Sequence, residues 1–587
     1  MYLEKIKGPQ DVKKLNSKEL EILAEEIREG LFNRLTQIGG HCGPNFGLVE
    51  ATIAMHYVFN SPIDKFVFDV SHQTYPHKML TGRAHGYIDN DRMEEISGYS
   101  APYESEHDHF VIGHTSTSVS LACGLAKGRD LKGDKENIIA IIGDGSLSGG
   151  EALEALDFAG SELNSNLIIV VNDNQQSIAE NHGGLYKNLE ELRNGTAKTN
   201  LFTAFGLDYI YEAEGNNIEK LIEVFKKVKD IDHPIVVHIN TVKGKGYTPA
   251  EENREAWHWA QPFDRETGKT KAGAEEDEAY PTLTADLLLE KMKKDPKVIA
   301  VSAGIPVAFG FTEPKRIMAG KQHIDVGIAE EHAVGLISGI AKNGGKPVFG
   351  TNASFIQRTY DQVSQDLCLN NNPAVIVLGY TSVWGLNDET HLGIFTISEF
   401  SHIPNLLILA PTNKQEYISM LDWAVEQNEH PVMIIMPGNG VINDSREAIT
   451  DYSKCINKFK IEQSGEKVAI IAAGDFYQIG EQSAKLIEEK LGFKPTLINP
   501  RFINDIDEEC LDKLKANHSM IITLEDGIVD GGFGQKVASY YGMTDIKVKN
   551  LGLEKLFYDR YDANEVLDKL GITSERITKL VEENENN

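Results

Sequence analysis

The sequence predicts an α/β protein built from three consecutive parallel-sheet domains. Short β-branched apolar runs alternate with longer segments of helical periodicity, the pattern of strands buried on both faces and joined by crossover helices. The chain has 587 residues, 41% of them hydrophobic, which is more than a single hydrophobic core supports. A polar, charge-rich stretch at 265–278 and a Ser464-Gly465 break then divide the pattern into three blocks.

In the first block, 1–270, the strands expected are 66–70, 138–142, 167–171 and 235–239. The second block, 281–450, supplies 298–302, 347–350, 374–379, 406–410 and 432–436. The third, 460–587, supplies 467–473, 496–499 and 520–524, and its acidic tail EENENN is expected to fray.

A formal charge of −30 argues against a general attraction for nucleic acid or anionic lipid. Any phosphate must therefore be held by a local site. No apolar run reaches about 18 residues, and the opening MYLEKIKGPQDVKKLN has neither an apolar h-region nor an Arg-rich amphipathic pattern. The expectation is a cytoplasmic protein with no nucleic-acid or membrane partner. Cys42, Cys123, Cys368, Cys455 and Cys510 are scattered without a CxxC pair, which speaks against a disulfide framework or a thiolate zinc site.

The chemistry concentrates at two strand ends. IIAIIGDGSLSGG places Gly143-Asp144-Gly145 at the carboxyl end of a buried strand, where open α/β sheets bind ligands. Thirty residues after Asp144, LIIVVNDNQQSI places Asn174 just past the end of another buried strand, with a crossover helix expected at 151–159. Asp144 then offers a carboxylate oxygen and Asn174 an amide oxygen to a small divalent cation that completes its shell with diphosphate oxygens and water. Gly145 and Ser146 let the backbone approach that diphosphate. An isolated GDG is ordinary turn chemistry; the second strand ending in NDN at this distance sets it apart. Cys42 beside His41 is not read as a nucleophile pair, because adjacent side chains diverge and no orienting acid is identifiable. His77, His107 and His109 have no HExxH or thiolate company and are not read as metal ligands.

The GDG…N pair resembles the magnesium-diphosphate signature of thiamine-diphosphate enzymes. Around it run GGHCGPNFGLVEATIAMHYVFN, DVSHQTYPHKMLTGR, VIGHTSTSVS, KGKGYTPAE, DVGIAEEHAV, SFIQRTYDQV and NDETHLG. These stand in the order found in 1-deoxy-D-xylulose-5-phosphate synthases, and with the third block the resemblance covers nearly the whole chain. It implies a transketolase-like fold, thiamine diphosphate with Mg2+, and a homodimer. Pyruvate and an aldose phosphate, D-glyceraldehyde 3-phosphate, are the implied substrates, feeding isoprenoid and thiamine precursor synthesis.

By the same resemblance, Asp144, Asn174 and Gln176 hold the metal. His72, Gly113, His114, Thr115, Gly145, Ser146, Asn174, Tyr247, Glu330 and Phe355 hold the cofactor; Glu330, His41 and His391 are catalytic; Arg358 takes the acceptor phosphate. From the sequence alone Phe355 and Tyr247 serve equally well as core aromatics, and Glu330 as a solvated first-turn glutamate favoured by the helix dipole. The chain departs from the family at Tyr380 and Gly438, where arginines are usual, at Asn216 in place of a histidine, at Asn352 in place of an aromatic and at Asn387 in place of an aspartate. Two bidentate phosphate contacts are thereby lost. A short 174–247 segment also implies a trimmed lid. A transketolase or a carboligase with a different aldehyde acceptor stays open as an alternative; a non-catalytic cofactor-binding paralogue is disfavoured because Asp144 and Glu330 are present.

Overall fold

The computed structural model describes residues 1–271 and 278–586. It divides the chain into two compact units, Met1–Glu275 with Gly327–Ala329, and Glu276–Val326 with Glu330–Asn587. The first unit holds one five-stranded sheet: β1 Lys65–Phe68, β2 Ile138–Gly143, β3 Leu167–Asp173, β4 Asp208–Glu212 and β5 Pro234–Asn240. Their order is β1-β2-β3-β5-β4, with every pairing parallel. β2 and β3 are apolar from Ile138 to Ile142 and from Leu167 to Val171, where helices cover both faces, and the buried Asn172 and Asp173 close β3.

The second unit holds two sheets. Six parallel strands, β6 Val298–Ser302, β7 His323–Asp325, β8 Lys346–Asn352, β9 Val375–Gly379, β10 Leu407–Leu409 and β11 Val432–Ile435, are ordered β10-β11-β9-β8-β6-β7. β12 Lys460–Gln463, β13 Lys467–Ala472, β14 Thr496–Asn499, β15 His518–Ile528 and β16 Lys547–Leu553 are ordered β12-β14-β13-β15-β16. Three α/β sheets in series are therefore present, the last two within one unit. β12 is antiparallel to β14, the one departure from the parallel pattern among the named strands of the three sheets.

The buried strands fall within two residues of their expected bounds, apart from β15, which is longer at both ends. The missed strands β4, β7, β12 and β16 lie at sheet edges. Half of their surface meets solvent, so their sequences, such as DYIYE and KVKNLGL, lack the continuous apolar run that marks a central strand. The crossover helix lies at Gly150–Phe158. The frayed tail is corrected: helix Ser574–Glu585 runs through it, with Ile577 and Val581 buried and Glu585 paired to Lys467 at 2.7 Å. The start of the expected polar linker is also ordered, since Arg265 makes a two-point contact with Glu29 at 2.7 and 2.8 Å and stacks over Phe32. The rest of that stretch, 272–277, lies outside the described residues.

A buried carboxylate ties the two sheets of the second unit together. Glu416, in helix Lys414–Glu426, accepts the Thr412 N–H and hydroxyl at 3.1 and 2.8 Å. It also accepts the Asn499 amide, from β14, at 2.9 and 3.1 Å. Asn499→Ala strips a buried carboxyl group of one donor, a loss of about 2 kcal/mol, and should lower the urea midpoint of the second unit while leaving that of the first unchanged. A midpoint equal to wild type would show that the carboxylate does not join the sheets.

Candidate active site

In the first unit, β2 and β3 pair with Gly143 opposite Asn172, so Asp144 and Asp173 leave the sheet side by side. Asp144 is buried, and the Asn181 amide donates to its Oδ2 at 2.7 Å. Burial first and the neighbouring Asp173 second hold the Asp144 carboxyl well above the ordinary carboxylate range. Asp173 is offset differently: burial opposes its charge, but bonds from His238 at 2.9 Å and from Arg193 bring it below the usual value. Lys243 is the buried cation facing Asp144. Burial pulls it down to about 7 against that attraction, and its ammonium donates to the Ser177 carbonyl.

The loop after β3 is tightly drawn. Asn174 Oδ1 accepts the Gln176 N–H at 3.3 Å, and the Asn174 carbonyl accepts Arg254 at 3.1 Å. Gln176 donates to the Ile178 carbonyl at 3.1 Å. A Cβ on Gly145 would stand 2.9 Å from the Ser177 side chain, so only glycine fits there. Ser116 donates to the Ser146 carbonyl at 2.8 Å, joining the turn after β2 to the 113–116 segment. No group of three or more His, Cys, Asp and Glu converges as a metal cluster among the described residues. The oxygens at hand are one desolvated carboxylate and amide or carbonyl groups, a hard set suited to a Mg2+-sized ion that would offset the cost of burying Asp144.

A second constellation forms after β1. Asp69 accepts the Ser116 and Ser118 N–H groups at 2.8 and 2.9 Å, and Val70 donates to the His114 carbonyl at 3.2 Å. These bonds hold Val70 and Ser71 at φ of 57 and 62°, a left-handed conformation unfavourable to a β-branched residue. His72 follows immediately. Its ring lies 4.9 Å from His41 and 5.2 Å from His258, and His41 is 5.5 Å from His258. One fully buried amide aligns two of the three: Asn45 donates to the His41 and His72 carbonyls, both at 2.8 Å, and accepts the Tyr75 N–H at 2.9 Å.

His258 and Lys243 were not singled out from the sequence. His258 stands in a segment that no quoted motif covers, and the short ladder pairing His41 with Trp259 brings it back to the cluster; Lys243 opens the KGKGYTPAE motif, which does not show that it is buried. Burial holds His258 far below the usual imidazole range. Tyr247 sits in an aromatic cluster with Phe32, Trp257 and Phe263 at 5.2, 4.9 and 5.8 Å. Burial pushes the Cys42 thiol up to about 12, consistent with its exclusion as a nucleophile.

In the second unit, Glu330 opens helix Glu330–Lys342 and is 3% exposed. Burial pushes its carboxyl up to about 7, and Arg358, with Nη1 3.5 Å from Oε2, opposes the shift. The first-turn, solvated alternative is thereby removed. β8 ends at Asn352, and the short helical turns after it carry Phe355 and Arg358. Phe355 meets the His391 ring edge-on at 5.7 Å, and Thr390 Oγ1 lies 2.8 Å from His391 Nδ1. β9 runs beside β8 with Gly379 opposite Asn352, placing Tyr380 at the next strand end. There a cavity of about 540 Å³ opens, lined by Tyr280, Tyr380, Trp384, Met436 and Gly438 among others.

Comparison with known proteins finds similarity along nearly the whole chain. Residues 3–200 match the family model "1-deoxy-D-xylulose-5-phosphate synthase". Residues 121–294 match the transketolase thiamine diphosphate binding domain, 278–441 the transketolase pyrimidine binding domain and 457–577 the transketolase C-terminal domain. The 1-deoxy-D-xylulose-5-phosphate synthase of Clostridium beijerinckii is 36% identical, over 99% of both chains. Synthase 1 of Geobacter sulfurreducens is 36% identical over 99% of this chain and 97% of its own. Among solved structures, the transketolase of Leishmania mexicana aligns at a TM-score of 0.44 and 15% identity, over 96% of this chain and 97% of its own.

Asn45→Ala would leave two buried carbonyls and one buried N–H without their partner, at about 1–3 kcal/mol for each group. The variant should lose several degrees of thermal stability, and the histidine cluster should loosen, seen as displaced imidazole resonances by NMR. A variant with unchanged stability and unchanged imidazole shifts would show that the amide does not align His41 and His72.

Proposed function

Because the chain belongs to the 1-deoxy-D-xylulose-5-phosphate synthase family, we propose that it transfers a two-carbon unit from pyruvate to D-glyceraldehyde 3-phosphate, forming 1-deoxy-D-xylulose 5-phosphate and carbon dioxide. Thiamine diphosphate with Mg2+ is the proposed cofactor, and when bound it supplies the nucleophilic carbon and the electron sink that decarboxylation requires. The observation that carries the reading is the buried Glu330 carboxyl, which retains its proton to near neutral pH.

Each residue set has a physical task. Asp144 with the Asn174 and Gln176 oxygens would hold the cation, while Gly145, Ser146, Gly113, His114 and Thr115 supply the close backbone approach and polar contacts for the diphosphate. Phe355 offers an aromatic face to the pyrimidine, and Tyr247 supports the loop on the diphosphate side. A carboxyl poised near neutrality exchanges a proton with a pyrimidine ring nitrogen, as a solvated glutamate does not. His41, His72 and His391 are assigned to proton relay and to the substrate carboxylate, with His258 added by its place in the cluster. Arg358 is assigned to the acceptor phosphate, where its planar fork suits two-point contact. The three-domain division at 1–270, 281–450 and 460–587, a homodimer and a cytoplasmic location complete the proposal. No helix among the described residues is long and apolar enough to cross a membrane.

Product formation from pyruvate and D-glyceraldehyde 3-phosphate, with thiamine diphosphate and Mg2+ present, tests the reading directly. Glu330→Gln should lower kcat by about three orders of magnitude or more, because the proton exchange acts only in reaching the reactive state. The same variant carries a stability signature. With its folded value raised, Glu330 keeps a proton that the unfolded chain releases, so wild-type stability falls as pH climbs from about 4.5 to about 7. Without cofactor, Glu330→Gln should lack that decline and unfold at a higher temperature than wild type at pH 8. Near-normal turnover would remove Glu330 from the mechanism.

Arg358→Lys keeps the charge and loses the planar fork. Acceptor kcat/KM should fall roughly ten- to hundredfold, the equivalent of one charge-assisted hydrogen bond, with the pyruvate KM nearly unchanged. An equal loss for both substrates would place Arg358 with Glu330 rather than with the acceptor.

A further inference from the structure

Residues 278–281 and Ala308 line part of the cavity beside Tyr380, and two loops of the second unit wall much of it. One follows β9 and carries Tyr380 and Trp384; the other follows β11 and carries Met436 to Gly440. Both loops are gripped from behind by two acidic side chains of the third sheet. Asp475 lies just past the end of β13, and Asp526 lies in β15, the strand paired with β13 through Ala472 opposite Leu524.

Asp475 Oδ2 accepts the Gly438 N–H at 2.7 Å and also bonds the Asn439 backbone, holding the second loop. Asp526 Oδ1 accepts the Val383 N–H at 3.0 Å, holding the first. Ser382 touches both carboxyls, and its hydroxyl oxygen accepts the Trp384 N–H at 3.1 Å. The two carboxyls also meet each other. Asp475 Oδ1 and Asp526 Oδ2 are inaccessible to solvent and have no N–H or O–H partner. Two buried carboxylates in contact cannot both ionise, so a single proton held between them is the bond that completes the arrangement.

The grip also explains a bare position. A Cβ on Gly438 would stand 2.6 Å from the Ser382 Cβ, 3.2 Å from its hydroxyl and 3.6 Å from Asp475 Oδ2. No side chain enters there while the serine bridges the acids.

We propose that Asp475 and Asp526, sharing one proton across Ser382, form a clasp that fixes both walls of this cavity and thereby positions the acceptor aldehyde. The clasp rests on the reaction proposed above, since it assigns the cavity to the acceptor. Asp475 and Asp526 are positioning residues and touch no reacting atom. Burial, and then the Asp475 charge, push Asp526 up to about 8, so the shared proton is present at neutral pH and is lost above that value. Among the described residues two phenols face the pair: Tyr561, whose hydroxyl donates to the Val383 carbonyl at 2.9 Å and which burial pushes up to about 12, and Tyr280, raised further by burial. Both stay neutral through the window in which the clasp opens.

The test is the pH dependence of the two substrates read separately. In wild type, the acceptor KM should rise about tenfold between pH 7 and 9.5, the cost of one lost hydrogen bond, while the pyruvate KM stays level. Asp526→Asn donates its own hydrogen bond at every pH, so its acceptor KM should be level across the same range. Asp526→Ala should show the high acceptor KM already at pH 7. Should Asp526→Asn fail to fold, Asp475→Asn repeats the comparison from the other side. Amide hydrogen exchange of segments 380–385 and 436–441, compared between wild type and Asp526→Asn, requires no turnover. Exchange should match at pH 7 and be faster in wild type at pH 9. A level wild-type acceptor KM, an asparagine variant that titrates like wild type, or matching exchange at pH 9 would overturn the clasp. Wild type that forms no product while exchange behaves as expected would instead overturn the proposed reaction and leave the clasp standing.

Discussion

Desolvation of ionisable groups at the carboxyl ends of parallel strands is the constraint on which the rest of this molecule depends. In a sheet covered by helices on both faces, the strand ends are where side chains can converge with little water around them. Asp144 is raised there, Lys243 is lowered there, and at the head of the helix after β7 Glu330 is raised. The cost of burying these groups is a strain toward neutral forms that a bound cation, diphosphate or protonated ring relieves. The same physics that makes such positions poor for stability makes them suited to chemistry near neutral pH.

Holding the groups in place falls to neutral or fully satisfied polar residues. Asn45 takes three backbone bonds with one amide, and Asp69 takes two N–H groups at the start of helix Ser118–Lys132. These bonds keep Val70 and Ser71 in a conformation that their side chains disfavour, which turns the chain sharply enough to present His72 toward His41 and His258. Asp144, Lys243 and Glu330 carry shifted groups, while Asn45 and Asp69 brace the neighbouring backbone with hydrogen bonds.

The second unit shows two answers to a buried carboxyl. Glu330 has a guanidinium 3.5 Å away, which limits its shift and leaves its proton exchangeable near neutrality. Asp475 and Asp526 have each other and a serine; burial raises both carboxyls, and they bind the backbone of Gly438 and Val383. The departures at Tyr380 and Gly438 lie on the loops held by that pair. The glycine there follows from packing against Ser382 and Asp475 as much as from any change in what the cavity receives.

The central strands were legible in the sequence because burial on both faces demands continuous apolar runs, and IIAIIG and LIIVVND admit no other reading. Asp144 and Asn174 were legible for the same reason, as polar residues placed at the ends of such runs. The edge strands β4, β7, β12 and β16 were not, since a strand half in water leaves only a weak alternating trace, whereas the more apolar edge strands β1 and β10 were. Nor was the helical tail, whose stability comes from Ile577, Val581 and the Lys467 pairing rather than from its acidic composition. Motif resemblance identified Glu330, yet only the tertiary structure decided that its carboxyl is buried against Arg358. His258 and the Asp475–Asp526 pair carry no local signal, and Lys243, although it opens KGKGYTPAE, is not marked there as buried. Much of their character arises from segments distant in sequence, Asp144 for Lys243, His41 and His72 for His258, and the Val383 and Gly438 loops for the pair, and burial by distant segments is a property of the folded chain that local patterning does not encode.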